Sequence, residues 1–267
     1  MSTPERELLE GIRDADAHRG GIRCLRLFRL DRALGLALRA EVLALRAREP
    51  WSDVQEREHV THWAGPRGAV RQWSLVNRSG DCADFRDDHD LSCVSKTFHL
   101  AARYPQLAAF ADALPHLVNL RINELGPGAG LAPHEEHSLF PDFRGGAAVR
   151  ARFHLPLCTS RDARMLLDGD LVRFAPRTIY YFNQGCVHGA DNPSARARIH
   201  LVWDQLLTAE VFATMFGEED ATPGWRRVHA CERAVRPLAQ VRVTHHARIP
   251  PLVLPDEAER VRLSVVR

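Results

Sequence analysis

The stretch LVNLRINELGPGAGLAPHEEHSLF, residues 117–140, decides how the rest of the chain is read. It opens as a strand, breaks at Gly126, Pro127 and Gly128, and resumes into two histidines and two carboxylates, His134 to His137. Downstream, VRARFHLPL, ARMLLDGDLVRF, RTIYYFN and RARIHLVWDQL repeat the texture as short segments, mostly of strand type, cut by Gly, Pro, Asn and Asp turns. Such spacing predicts an all-β sandwich or barrel.

Working outward, the front of the chain is helical. Residues 4–18 read as a short helix, and IRCLRLFRLD as a strand ending at Asp31. That aspartate is placed to cap the apolar-periodic segment that runs to Pro50. YPQLAAFADALPHL predicts a helix, RQWSLVNRSGD a strand turning at Ser79-Gly80, and LTAEVFATMFGEED a helix behind the strands. Helices in front and strands behind favour one β-barrel domain. Residues 61–208 are its expected core, residues 1–60 pack on it, and residues 209–267 form a C-terminal helix and extension with one or two extra strands.

The chain has 267 residues, 45% hydrophobic and 26% charged, with a formal charge of +2. That balance gives no concentrated basic face for nucleic acid or an anionic membrane. The N-terminus lacks an apolar signal core, and no apolar run approaches the ~20 residues of a membrane span. Six scattered cysteines without a C-x-x-C pair fit a reducing compartment, so a cytoplasmic location is expected. Of 36 basic residues a single one, Lys96, is lysine. Any anion site must therefore be built from arginine forks.

In an extended LAPHEEH, His134 and Glu136 share one face while Glu135 and His137 share the other. An H-x-E pair offers an imidazole and a carboxylate to one ion, and a distant histidine completes a 2-His-1-carboxylate set suited to Fe(II). His188, in the turn after RTIYYFN, is the candidate. A helical stretch would instead pair His134 with His137 as a zinc-hydrolase site. The His-Glu-x-x-His spacing is absent, however, and Pro133 favours extension. A non-catalytic, cupin-like barrel that binds a small ligand is the third reading.

In the last strand Arg198, His200 and Val202 share one face, and Ile199, Leu201 and Trp203 the other. Arg152 and His154 likewise alternate with Phe153, Leu155 and Leu157. Two strands thus aim cations and imidazoles away from their apolar neighbours, as a polar barrel interior requires. A guanidinium there can clamp a dicarboxylate through two parallel hydrogen bonds.

Taken in order, WSLVNRSGD, LRINELGPGAGLAPHEEH, RFHLPL, LDGDLVRF, YYFNQGCVHGADN and RARIHLVWD resemble the aspartyl/asparaginyl β-hydroxylase family, which includes bacterial free-proline hydroxylases. The resemblance runs from about Trp73 to Asp204, and the ten-residue interval from His188 to Arg198 is its most specific part. It implies a mainly β, double-stranded β-helix (jelly-roll) fold using Fe(II), 2-oxoglutarate and O2. It implies His134 and His188 as iron ligands, with Glu136 where relatives carry a carboxylate or none. Arg198 becomes the partner of the distal 2-oxoglutarate carboxylate, and Arg152 and His154 lie against the cosubstrate.

The implied reaction is hydroxylation of an unactivated C–H bond of an amino acid, free or within a peptide or protein. Candidate substrate contacts are Asn77, Arg78, Arg121 and Arg144, the last in a long SLFPDFRGGAAVRA insertion that could cover the site. Glu136 departs from the aspartate usual in full triads, placing its carboxylate one methylene further out. Residues 210–267 have no assigned task, and an oligomer contact is one possibility for them.

Overall fold

The computed structural model describes residues 3–16, 21–53, 62–63, 68–88, 90–91, 95–136, 138–141, 147–218 and 222–228. In chain order the elements are α1 (Thr3–Asp16), β1 (Cys24–Leu30), α2 (Arg32–Arg48), β2 (Ser52–Asp53), β3 (His62–Trp63), β4 (Val70–Ser74) and α3 (Pro105–Asp112). Then follow β5 (Leu117–Leu125), β6 (Gly130–His134), β7 (Leu139–Pro141), β8 (Ala147–Cys158), β9 (Arg164–Leu167), β10 (Asp170–Val172), β11 (Thr178–Phe182), β12 (His188–Asp191) and β13 (Arg198–Leu206). A short α4 (Ala209–Val211) runs into a π-helical turn, Phe212–Phe216, and β14 (Trp225–Arg227) ends the described chain.

The strands form two antiparallel sheets. The larger runs β14-β1-β11-β8-β13-β5-β4-β2, with β7 also paired to β8, and the smaller runs β10-β9-β12-β6-β3. No pairing joins their edges among the described residues. Among the described residues the mainly β, jelly-roll fold is therefore a double-stranded β-helix of two facing sheets, not a closed cylinder.

Strand parity divides the large sheet into two chemistries. Phe153 and Leu155 of β8 and Ile199, Leu201 and Trp203 of β13 join one apolar core with Leu8 and Ile12 of α1, Leu38 and Val42 of α2, and Phe110 of α3. Trp203 is its centre, stacked on Phe153 at 5.5 Å and edge-on to Phe110 at 5.2 Å. Each such fully buried side chain contributes roughly 1.5–3 kcal/mol. The opposite face of the sheet turns its polar residues inward, where Leu125, Met165, Leu167, Tyr180, Phe182 and Ala190 form a smaller core between the sheets.

Local chemistry explains the boundaries. The β9–β10 hairpin turns on Asp168-Gly169, with φ of 48° and 92°, the Asp-Gly pair that a tight two-residue turn favours. The helix α3 is shorter than expected, since Pro115 disfavours helical geometry at the preceding residue and His116 takes φ 53° to launch β5. Its first turn is capped from α2: the Gln106 and Leu107 N–H groups donate to the Glu41 carboxylate at 3.0 and 2.8 Å. The expected cap at Asp31 is not made, because its side chain accepts no bond from α2 and faces Arg226 at 3.8 Å instead.

Among the described residues Cys24, Cys82, Cys158 and Cys186 form no disulfide. Among the described residues no helix is long and apolar enough to cross a membrane. The extra strands expected beyond residue 228, and the tip of the insertion with Arg144, lie outside the described residues. The flanks of that insertion pair as the β7–β8 hairpin.

Candidate metal centre and its cavity

His134 closes β6 and His188 opens β12, and their Cα atoms face each other directly across the two strands. The rings lie 4.2 Å apart between centroids. Gly189 permits this approach, since a Cβ there would sit 2.9 Å from the Leu131 carbonyl oxygen. Glu136 lies two residues past the end of β6, where strand alternation no longer holds it. Its backbone N–H instead donates to the Gln184 carbonyl at 3.0 Å, which returns its side chain to the face of His134. Glu136 Oε1 stands 3.6 Å from His134 Nε2 and 3.8 Å from His188 Nε2. The three donor atoms all fall within 4.8 Å of one another. Glu135 is exposed. His137 lies outside the described residues, and the cluster is complete without it.

The histidine tautomers suit a cation. His134 Nδ1 faces the Ala132 carbonyl at 2.7 Å and His188 Nδ1 the Cys186 carbonyl at 2.8 Å, so both Nδ1 atoms carry the proton. The Nε2 lone pairs are left pointing toward Glu136. Burial lowers the His188 pKa, and the adjacent carboxylate offsets only part of that, which favours the neutral, ligating form. Burial alone would raise the Glu136 carboxyl, but the Arg152 charge and the hydrogen bonds around it hold it well below the carboxylate range. Two imidazole Nε2 donors and one ionised carboxylate are a donor set for a divalent transition metal. The residues present therefore fit the ferrous ion that the sequence pattern implies.

The trio opens into a cavity of about 180 Å³ between the sheets. Arg198 lines it and is buried, and its guanidinium bonds to Met165 Sδ at 2.7 Å and His200 Nδ1 at 3.0 Å. No carboxylate pairs with it among the described residues, and burial lowers its pKa to about 9, leaving it charged at neutral pH. His154 and His200, beside it, are held neutral first by burial and then by the Arg198 charge.

Arg152 also lines the cavity but is already engaged. Its NH1 donates to Glu136 Oε1 at 2.7 Å, while Nε and NH2 donate to Asp204 at 2.8 and 3.0 Å. Burial would lower Arg152, but Asp204 and Glu136 outweigh it and raise its pKa. Arg121 faces the cavity too, donating to Asp88 Oδ2 at 2.5 Å.

The other expected substrate contacts lie elsewhere. Asn77 spends its amide within its own turn, donating to the Asp81 carbonyl at 2.9 Å and accepting from the Gly80 N–H at 2.7 Å. Arg78 points to the surface, paired with Asp87 and Asp90. Neither lines the cavity.

Asp204 is the inward residue that went unassigned. It continues the parity of Arg198, His200 and Val202 by two positions, and this was the signal available to find it. Burial would raise its carboxyl, but Arg152 and Arg150 hold it far below the usual range. Gln72, Asp88 and Asn123 join Arg121 on the same wall and carried no motif of their own.

A double-stranded β-helix with a partly buried His-x-Glu…His cluster and an inward arginine is the arrangement of non-haem Fe(II) oxygenases. The family model described as aspartyl/asparaginyl beta-hydroxylase matches residues 37–206, well over half of the chain, and the chain belongs to that family. No curated protein sequence matches the chain. Among solved structures, it is similar to a Pseudomonas putida prolyl-4-hydroxylase at 19% identity, covering 74% of this chain and 98% of that one, with a TM-score of 0.39. It is also similar to a 2OG-Fe(II) oxygenase family oxidoreductase from Burkholderia pseudomallei at 14% identity, covering 62% and 76%, with a TM-score of 0.38.

Proposed function

We propose that this protein is an iron- and 2-oxoglutarate-dependent oxygenase that hydroxylates an unactivated C–H bond of an amino acid, free or within a peptide or protein. One observation carries the reading. The Arg198 guanidinium is buried in the same cavity as His134, Glu136 and His188, without a carboxylate partner among the described residues. A buried charge calls for an anion. A dicarboxylate such as 2-oxoglutarate supplies one for Arg198 and, at its other end, oxygens for a metal.

In this reading His134, Glu136 and His188 hold ferrous iron, which with 2-oxoglutarate and dioxygen supplies the oxidising power for C–H hydroxylation. The chain's own residues do the rest. The Ala132 and Cys186 carbonyls retain the Nδ1 protons, so each Nε2 stays available as a donor to the cation. Arg198 fixes the cosubstrate's distal end through a planar fork. Leu131, Phe182 and Val202 add apolar lining that limits water. Gln72, Phe85, Asp88, Arg121 and Asn123 form the wall left for the substrate. Membership of a hydroxylase family supports an amino-acid target.

The test is oxygen-dependent formation of succinate from 2-oxoglutarate with ferrous iron, across amino acids and short peptides, with mass spectrometry for a product heavier by one oxygen atom. Cosubstrate binding without turnover on any of them would favour a ligand-binding barrel. Activity that needs no 2-oxoglutarate would favour a hydrolase.

A further inference from the structure

We infer that Arg152 is a positioning residue for the metal centre, acting through Glu136, and that Asp204 is what holds it in place. The inference rests on the reading above, in which His134, Glu136 and His188 hold the cation. It gives Arg152 a task other than the cosubstrate contact that the family resemblance implies.

A glutamate in a ligand position has one more rotatable bond than an aspartate, so its carboxylate must be held from outside. Glu136 sits beyond the end of β6, and its carboxylate is met from β8, by Arg152 at Oε1 and more distantly by Arg150 NH2, 3.8 Å from Oε2. Its Oε1 is the atom that faces both histidine Nε2 atoms, and the same oxygen accepts from Arg152 NH1 at 2.7 Å. Arg152 thereby selects the rotamer that presents this oxygen to the cation.

The arginine is itself fixed. Asp204 lies directly across from it on β13, in register, and takes a two-pronged bond from Nε and NH2. On its other flank Asp204 lies across from Asn119 of β5, whose amide donates to Oδ2 at 3.0 Å, while the Asp204 backbone N–H donates back to Asn119 Oδ1. Asp204 is fully buried. The row Asn119–Asp204–Arg152 thus crosses three adjacent strands at one level of the sheet and ends on the ligand carboxylate. Lysine cannot replace this arginine, since a single ammonium does not span two carboxylates in fixed planes.

The experiment is titration of the metal-free protein with Co(II) in the absence of 2-oxoglutarate, following heat and the visible d–d absorption. Arg152→Gln should weaken Co(II) binding about 10–100-fold and alter the absorption, the usual scale for losing an outer partner of a ligand. Glu136→Ala should weaken it as well. The double variant should bind no worse than Glu136→Ala alone, because the arginine acts only through that carboxylate. Arg152→Lys should not restore the wild-type spectrum.

Wild-type affinity and spectrum in a folded Arg152→Gln protein overturn the inference, as does full additivity in the double variant. Should Arg152→Gln not fold, Asp204→Asn serves: it loosens the anchor while keeping its shape, and should weaken Co(II) several-fold. Unchanged binding in that variant overturns the inference too. If wild type binds no Co(II), or His188→Ala binds it normally, the metal-centre reading itself fails, a result distinct from either outcome above.

Discussion

His134 and His188 face each other across β6 and β12, and each gives its Nδ1 proton to the carbonyl two residues before it, Ala132 and Cys186. The two rings are thus oriented by their own backbones. Replacing either should remove metal binding without disturbing distant packing.

His188→Ala is accordingly expected to abolish Co(II) or Fe(II) binding and turnover, whereas His137→Ala should retain both. Metal titration of the two variants decides the matter. Loss of metal from His137→Ala alone would revive a zinc site built on His134 and His137.

Arg198→Ala should raise the 2-oxoglutarate requirement by about 2 kcal/mol or more, some 30-fold, as for truncating one partner of a charge-assisted bond in a closed site. Calorimetric titration of the metal-loaded protein reads this directly. Normal cosubstrate affinity in the variant would remove Arg198 from the anion site.

Gly189→Ala places a methyl 2.9 Å from the Leu131 carbonyl oxygen, against backbone that cannot step aside cheaply. The expected result is β12 pushed off β6, with a loss of about 1–3 kcal/mol in stability and weaker metal binding through His188. A melting curve and a metal titration together check this. Unchanged values for both would mean the two strands adjust freely.

Acid should destabilise the metal-free protein in two stages. Burial keeps His154 and His200 neutral with pKa values well below the ordinary 6.5. Above pH 6.5 these rings are neutral whether the chain is folded or not. As pH falls below that value the unfolded chain takes up protons that the folded one refuses, and stability drops by roughly 1.4 kcal/mol per pH unit per ring until each folded value is passed. Asp204 and Glu136, held low by Arg152, add a second loss only below their unfolded carboxylate range. Melting temperatures measured from pH 8 to pH 3 should show both steps. A flat profile between pH 7 and pH 5 would contradict the burial of the imidazoles.

Alternation was the legible part of this sequence. A sheet covered by helices on one side and facing a polar cavity on the other writes its two faces into alternate residues. Arg198 and His200 are therefore separable from Ile199, Leu201 and Trp203 in the sequence alone. Turns were not legible in the same way. Asn77 and Arg78 have the composition of ligand contacts, yet a turn's own carbonyls and aspartates satisfy them, and composition does not distinguish the two. The pairing of Arg152 with Asp204 was equally hidden, because it depends on which strands become neighbours. That Glu136 returns to the face of His134 followed from alternation in expectation, but in the fold it follows from a bond to Gln184.

Lys96, the one lysine in the chain, is buried, and its ammonium is enclosed by the carbonyls of Asp87, Asp90 and Val118. The exterior consequently offers no side-chain amine. Succinimidyl dyes and glutaraldehyde will find no lysine to couple to on the folded surface, and side-chain attachment or crosslinking of this protein has to be planned around guanidinium, carboxyl or introduced thiol chemistry.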